Sequence, residues 1–430
     1  MYSFTFLFST ILSFILGFSL IAAIHELGHL LMAKWCNIGV KRYMVFFPPT
    51  LFQWKRKETT YGIGMIPLGG MVEVEGMGEE ITEGPESLPQ SDFRTKAAWQ
   101  RALVMVGGIS FNLISAYLII VILLMTQGAS YLSKEEINKY GIAPTTIGQK
   151  VGFKRGDKII RINGKDFLRA EDFDQALENE KNIICLVQRD KEKVAITISA
   201  EQASGGRLWH PLVPYKIKKV SKGSIAEKAG LCSEDLILSI NGEPTPYLQD
   251  FEEAMSKNSD KLTIEYQRGS TMHQVTLLLG KESKLGVELA STLLPHYQRE
   301  SLLTAMSKAR QKMIYIITLQ LYGIKKIITR EISLTENLQS PVAVIAMFSE
   351  YEGLSGFFWL VAILSIILAL MNLLPIPALD GFHLLITLGE MVIRRKINHK
   401  WYGYLQMLGT LFLITLTIVL ILKDLYKFLL

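Results

Sequence analysis

Residues 4–31 read FTFLFSTILSFILGFSLIAAIHELGHLL, an apolar run that closes on His25-Glu26-Leu27-Gly28-His29. An unbroken stretch of this length meets the ~20 residues that an α-helix needs to cross a hydrocarbon core. Its last turns carry three polar side chains that a bilayer accepts only when they are paired or metal-bound. His25 and His29 fall on one helix face, a turn apart, where both imidazoles reach a single Zn²⁺ and the intervening Glu26 faces the attacking water as a general base. Small residues at Ser19 to Ala23 imitate a signal-peptide cleavage site. No Lys or Arg precedes the apolar run, however, and the helical pattern continues through His29, so the segment is read as retained.

Three further segments have spanning length: Ala102–Thr126, Leu354–Leu374 and about Leu405–Leu422. They explain a composition in which 49% of 430 residues are hydrophobic, in blocks rather than spread through one large core. The net charge of +6 is not gathered into a stripe, so no nucleic-acid partner is expected, and the three cysteines have no C-x-x-C spacing. Lys and Arg cluster between the first two spans (Lys34 to Arg101) and between the last two (Arg394, Arg395, Lys396 and Lys400). The positive-inside rule puts both clusters in the cytoplasm, which leaves both termini and the long loop 127–353 outside.

That loop reads as soluble structure with an internal repeat. VGFKRGDKIIRING at 151–164 is echoed by AGLCSEDLILSING at 229–242, each a turn and a short apolar strand ending in the tight-turn dipeptide Asn-Gly. Helices are expected at Ala170–Leu177 and Leu248–Met255, and strands at Ile183–Val187, Val194–Ile198, Leu262–Tyr266 and Val275–Leu279. Two tandem α+β modules account for this, and Arg299–Thr329 follows as an amphipathic helix lying along the membrane surface.

A hydrolytic zinc site needs a third protein ligand and an open position. The candidate is Asp380 in NLLPIPALDG (372–381), where Pro375 and Pro377 break the third span, tolerated at membrane depth only where protein or water lines a cavity. At ~1.5 Å per residue, His25 and Asp380 reach similar depths from the same side. Asp380 could also cap the helix Phe382–Ile393, a role that can coexist with ligation, and His383 competes for the ligand role. Asn112 and Asn372 are polar at depth; both can bond neighbouring helices, and Asn372 is positioned to hold an extended substrate beside the zinc. Gly62–Val74, GIGMIPLGGMVEV, alternates as a membrane re-entrant β-hairpin whose edge, including Gly69 and Gly70, can pair with an unwound substrate strand.

HELGH, IPLGGMV, GISFN at 108–112, the paired repeats and NLLPIPALDG together resemble the site-2 proteases over nearly the whole chain. The resemblance implies a four-span α-helical membrane protein with a re-entrant β-hairpin and two PDZ-like domains, in the bacterial inner membrane. Its parts are 1–33 with the HExxH helix, 34–98, the second span 99–127, PDZ-like domains 128–205 and 206–290, a connector 291–353, the third span 354–393 with the LDG motif, and 394–430. It implies Zn²⁺ held by His25, His29 and Asp380, Glu26 as base, and substrate contacts from Asn372, Asn112, Gly69 and Gly70. The substrates implied are single-pass membrane proteins already shortened by an upstream site-1 type protease, such as an anti-sigma factor or remnant signal peptides. Ile109 stands where the family usually has Pro, Phe382 where it often has a second Gly, and Phe46-Phe47-Pro48-Pro49 in a region usually richer in glycine. None of these removes a ligand or the base. The competing function is a non-catalytic membrane adaptor that binds peptide ends and has no need of Glu26.

Overall fold

The structure is a computed structural model, and residues 4–77, 88–203, 207–257, 261–278, 285–331, 340–351, 353–395 and 399–429 are described. It divides into two compact units, Met1–Gly128 with Arg299–Leu430, and Ala129–Gln298. In the first unit we label α1 (Phe4–Trp35), β1 (Val40–Arg56), β2 (Thr59–Val74), α2 (Ala98–Thr126), α3 (Leu302–Ile328), α4 (Pro341–Glu350), α5 (Gly353–Leu373), α6 (Asp380–Ile393) and α7 (His399–Leu429). Elements of the second unit are given by residue range.

Among the described residues, four helices are long and apolar enough to cross a membrane: Phe8–Trp35, Ala98–Thr126, Gly353–Leu373 and Tyr402–Asp424. Large apolar side chains such as Leu16, Ile114, Leu118, Ile122, Leu411 and Ile418 stay exposed on them, as lipid-facing surfaces require. α1 and α2 touch backbone to backbone: a Cβ on Gly28 or on Gly107 would fall within 3.0 Å of the other's carbonyl oxygen. α5 and α6 also pack on α2, and a nearly buried Arg101–Glu390 pair (2.7 Å) ties the end of α6 to the start of α2. α3 buries the small residues Ala305 and Ala309 and packs on α2 and α5, with the Tyr117 hydroxyl donating to the Met306 carbonyl (3.3 Å). Thus the amphipathic segment forms its helix, and its smallest side chains face other helices.

Gly62–Val74 is not a hairpin by itself. It is most of β2, and its partner is β1, so the paired region runs from Val40 to Val74. Met44 lies beside both Met71 and Gly62, so that Arg42–Val45 sits between the two ends of β2. Sequence alternation over one segment reports a strand but not the strand it pairs with. Two bonds fix this sheet to α1: Ser19 Oγ donates to the Pro67 carbonyl (3.2 Å) and the Tyr43 hydroxyl to the Ala23 carbonyl (3.0 Å).

The second unit contains two α+β modules with separate cores. In the first, the sheet Lys158–Ile162, Asn182–Arg189, Glu192–Ser199 and the helix Ala170–Asn179 enclose Phe153, Phe173, Ile183 and Ile198. In the second, Glu243–Pro244, Leu236–Ile240, Lys261–Arg268 and Thr271–Leu278 form the sheet, and Leu248–Ser256 the helix, over Tyr215, Ile237, Phe251 and Ile264. The division falls later than residue 205. Trp209–Pro211 pairs with Ile142–Pro144, and Leu208 and Trp209 lie in the first core. Residue 205, Leu279 and Lys396 lie outside the described residues.

The repeat is geometric as well as sequential. Asn163-Gly164 and Asn241-Gly242 all have positive φ (49°, 75°, 52° and 79°), the backbone of a tight hairpin turn. Asn163 Oδ1 accepts from the Ile184 N–H and Asn241 Oδ1 from the Thr263 N–H. In each module a fully buried aspartate is gripped by two nitrogens of an arginine: Asp157 by Arg189 and Asp235 by Arg268, all at 2.7–2.8 Å. The same carboxylates accept the Lys154 and Cys232 main-chain N–H groups. Burial pushes the Asp235 carboxyl up, but the Arg268 bonds and the Cys232 N–H outweigh it and hold the group below the usual carboxylate range. The aspartates are buried while their arginines keep some exposure to water, so Asp157→Ala and Asp235→Ala should each destabilise their own module by about 1–3 kcal/mol through the lost charge-assisted hydrogen bonds, read by proteolysis of the full chain in denaturant. Because the folded-state value of Asp235 is depressed, its contribution is fully present above a carboxylate's ordinary pKa of about 4 and is lost as pH falls below that. A second-module stability unchanged between pH 7 and pH 3 would contradict this.

Candidate metal centre

α1 carries His25, Glu26 and His29 on its last turns, and Asp380 arrives from the break between α5 and α6. The break is built from Leu374 to Leu379. Ala378 holds φ +81°, a left-handed conformation that costs an L-residue about 1 kcal/mol or more. Gly381 is required there, because a Cβ would run into the Leu373 and Leu374 carbonyls at the end of α5. α6 begins at Asp380 itself, with Leu379 at the cap position and no side-chain capping bond. The capping reading of Asp380 therefore falls: its carboxylate turns toward the histidines. His383, the competing ligand, pairs with the Tyr402 hydroxyl and stands outside the cluster.

Asp380 Oδ2 lies 2.9 Å from His25 Nε2 and 3.3 Å from His29 Nε2, and the two Nε2 atoms are 3.1 Å apart. Both histidines are buried. Three Lewis bases converge on one small volume, and Asp380 Oδ2 is buried without a well-formed hydrogen bond. Ligands about 2.0–2.1 Å from a tetrahedral zinc stand about 3.3 Å from one another, so the three atoms fit one such ion. His29 Nδ1 donates to the Val104 carbonyl (2.8 Å), which fixes the tautomer whose Nε2 lone pair is free for a metal.

Glu26 lines the cleft next to His25, His29 and Asp380, opposite Gly69, Gly70 and Val72 of β2, with its carboxylate beside the Val72 main-chain N–H. Asn372 lines the same cleft, its Nδ2 3.3 Å from His25 Nε2. Asn112 does not: it is fully buried on α2, its side chain against His25 Nδ1 (3.3 Å). Sequence reasoning placed it with the substrate, because polarity at depth does not say which side of a histidine a residue stands on.

Two features were missed. Phe47 lies over Gly69, whose absent Cβ would come within 2.9 Å of its ring. Gly108 makes room for the cluster, since a Cβ there would lie 2.5 Å from His29 Nε2 and 2.6 Å from His25 Cε1. The paired glycines of α2 were a visible signal for a close approach, without its address. Gly108→Ala should displace both imidazoles and weaken zinc binding at least tenfold, measured by chelator competition; unchanged affinity would show that the site has slack.

The sequence matches the model of "Peptidase family M50" over residues 13–416. It is 27% identical to the regulator of sigma E protease of Haemophilus influenzae, covering 96% of this chain and 97% of that one. It is also 27% identical to a Neisseria meningitidis protein named "Putative zinc metalloprotease", covering 91% and 93%, and 24% identical to a Clostridium perfringens protein of the same description, covering 95% and 96%. A match over almost the full length, on a chain whose two histidines and aspartate already converge as zinc ligands would, leads to one conclusion: the protein belongs to peptidase family M50, the site-2 proteases, and is a zinc metalloprotease.

Proposed function

We propose that this protease hydrolyses peptide bonds within membrane-spanning substrates, with His25, His29 and Asp380 holding the zinc and Glu26 serving as general base. The observation that carries this reading is the place of the cluster: α1, a helix of spanning length, supplies both histidines, Asp380 stands just past the end of another, α5, and a cleft leads to them. Bound zinc supplies Lewis acidity, which polarises a scissile carbonyl and lowers the cost of deprotonating water. Glu26 receives the proton of the attacking water at its carboxylate and delivers it to the leaving amine. Asn372, on the same cleft wall, holds the substrate main chain, and the Gly69–Val72 edge of β2 pairs with an unwound substrate strand. An intact transmembrane helix has no free backbone groups for either contact, so substrates must unwind locally before cleavage.

The finer reading is regulated proteolysis. One similar protein is named for regulation of sigma E, and by analogy the substrate is an anti-sigma factor or a remnant signal peptide whose outer domain a first protease has removed. On this reading the two modules of 129–298 are PDZ-like, both termini and the modules lie outside the cytoplasmic membrane, and the modules exclude substrates that keep a bulky outer domain. The adaptor alternative separates cleanly, because it has no use for Glu26.

Glu26→Gln should keep zinc and fold and lose proteolysis, because an amide does not accept the water's proton; cleavage above about 1% of the parent rate would remove the general-base role. Asp380→Ala should lose both zinc and activity, since two histidines make an incomplete site. Metal analysis of the purified variant decides it, and full occupancy would contradict the ligand set.

A further inference from the structure

The cleft accounts for one ring nitrogen of each histidine. The other nitrogens point into the protein, where His29 Nδ1 meets the Val104 carbonyl and His25 Nδ1 meets the Asn112 carboxamide at 3.3 Å. Val104, Gly108 and Asn112 are spaced at one turn of α2, so a single helix face supplies an acceptor, a clearance and a carboxamide to the pair of rings.

Asn112 is fully buried, and its Oδ1 has no hydrogen-bond partner among the described residues. A buried carbonyl oxygen left unpaired costs about 1–3 kcal/mol. Its main chain is held firmly: the Asn112 carbonyl accepts the Ser365 hydroxyl from α5 and the Ser115 hydroxyl from its own helix, both at 3.0 Å. A half-turn of the side-chain amide exchanges Nδ2 for Oδ1 with almost no change of shape. For His25 to give its Nε2 lone pair to zinc, its remaining proton must sit on Nδ1, and that N–H needs an acceptor. The orphaned Oδ1 is the acceptor within reach.

We propose that Asn112 is a positioning residue for the metal centre: its Oδ1 accepts the His25 Nδ1–H, fixing the tautomer and ring plane that present Nε2 to zinc. The Val104 carbonyl does the same for His29. Ser365, by holding the Asn112 backbone, couples that orientation to the packing of α5 on α2. Asn112 does not line the cleft. This inference rests on the reading of His25, His29 and Asp380 as ligands, and it needs an acceptor at position 112 rather than polarity as such.

Zinc affinity of the full-length protein, measured by chelator competition in detergent or nanodiscs, tests it through two substitutions. Asn112→Leu keeps the branched outline and removes the acceptor; it should bind zinc about 10–100-fold more weakly, the usual loss for a histidine-orienting partner. Asn112→Asp keeps acceptor oxygens only and should stay within about threefold of the parent. Unchanged affinity in Asn112→Leu overturns the proposal. Equal losses in the Leu and Asp variants overturn it too, since the residue would then serve packing alone. Asp380→Ala, run beside them, separates the two levels: zinc loss there with a normal Asn112→Leu defeats only the orienting role, whereas zinc retained in Asp380→Ala defeats the ligand set beneath it.

Discussion

The contact of α1 with α2 at Gly28 and Gly107 is the constraint on which the rest of the site depends. Without side chains at these positions the two backbones meet directly, and a helix face otherwise too distant becomes the wall behind the histidines. Close approach also brings Gly108 under both imidazoles and Val104 within bonding distance of His29. In an apolar setting helices gain little from hydrophobic association, so small residues and buried hydrogen bonds have to hold the crossing. Here the same groups hold the helices together and aim the rings.

The second half of the site comes from a helix that stops. Pro375 and Pro377 end α5, Ala378 takes a left-handed turn, and Gly381 allows α6 to restart against the last carbonyls of α5. Asp380 is thereby carried into the space between the histidines. The break is secured from both sides: α7 brings Gly409 against Pro377, where no side chain would fit, and Arg101–Glu390 ties α6 to α2. Strain at Ala378 is offset by this surrounding packing.

Much of this was legible in the sequence because it rests on local patterns. Spanning length announces the four long helices, the H-E-x-x-H spacing sets two rings on one face, and the Asn-Gly turns repeat in the modules. What stayed hidden depends on contacts between distant segments. Alternation in Gly62–Val74 could not reveal that Val40–Arg56 is its partner. Arg189 and Arg268 lie well beyond the repeated stretch, so the buried ion pairs with Asp157 and Asp235 left no trace in its pattern. Asn112 was recognised as unusual, but only the fold shows that it stands behind His25 rather than in front of it.

The proposed metal centre is one zinc ion shared by His25, His29 and Asp380. The most direct test is an anomalous difference map of the zinc-loaded protein, recorded at the zinc absorption edge. The account predicts one peak, about 2.0–2.2 Å from His25 Nε2, His29 Nε2 and an Asp380 carboxylate oxygen. A peak bound by His383 instead of Asp380, or lying away from the α1 histidines, would contradict it.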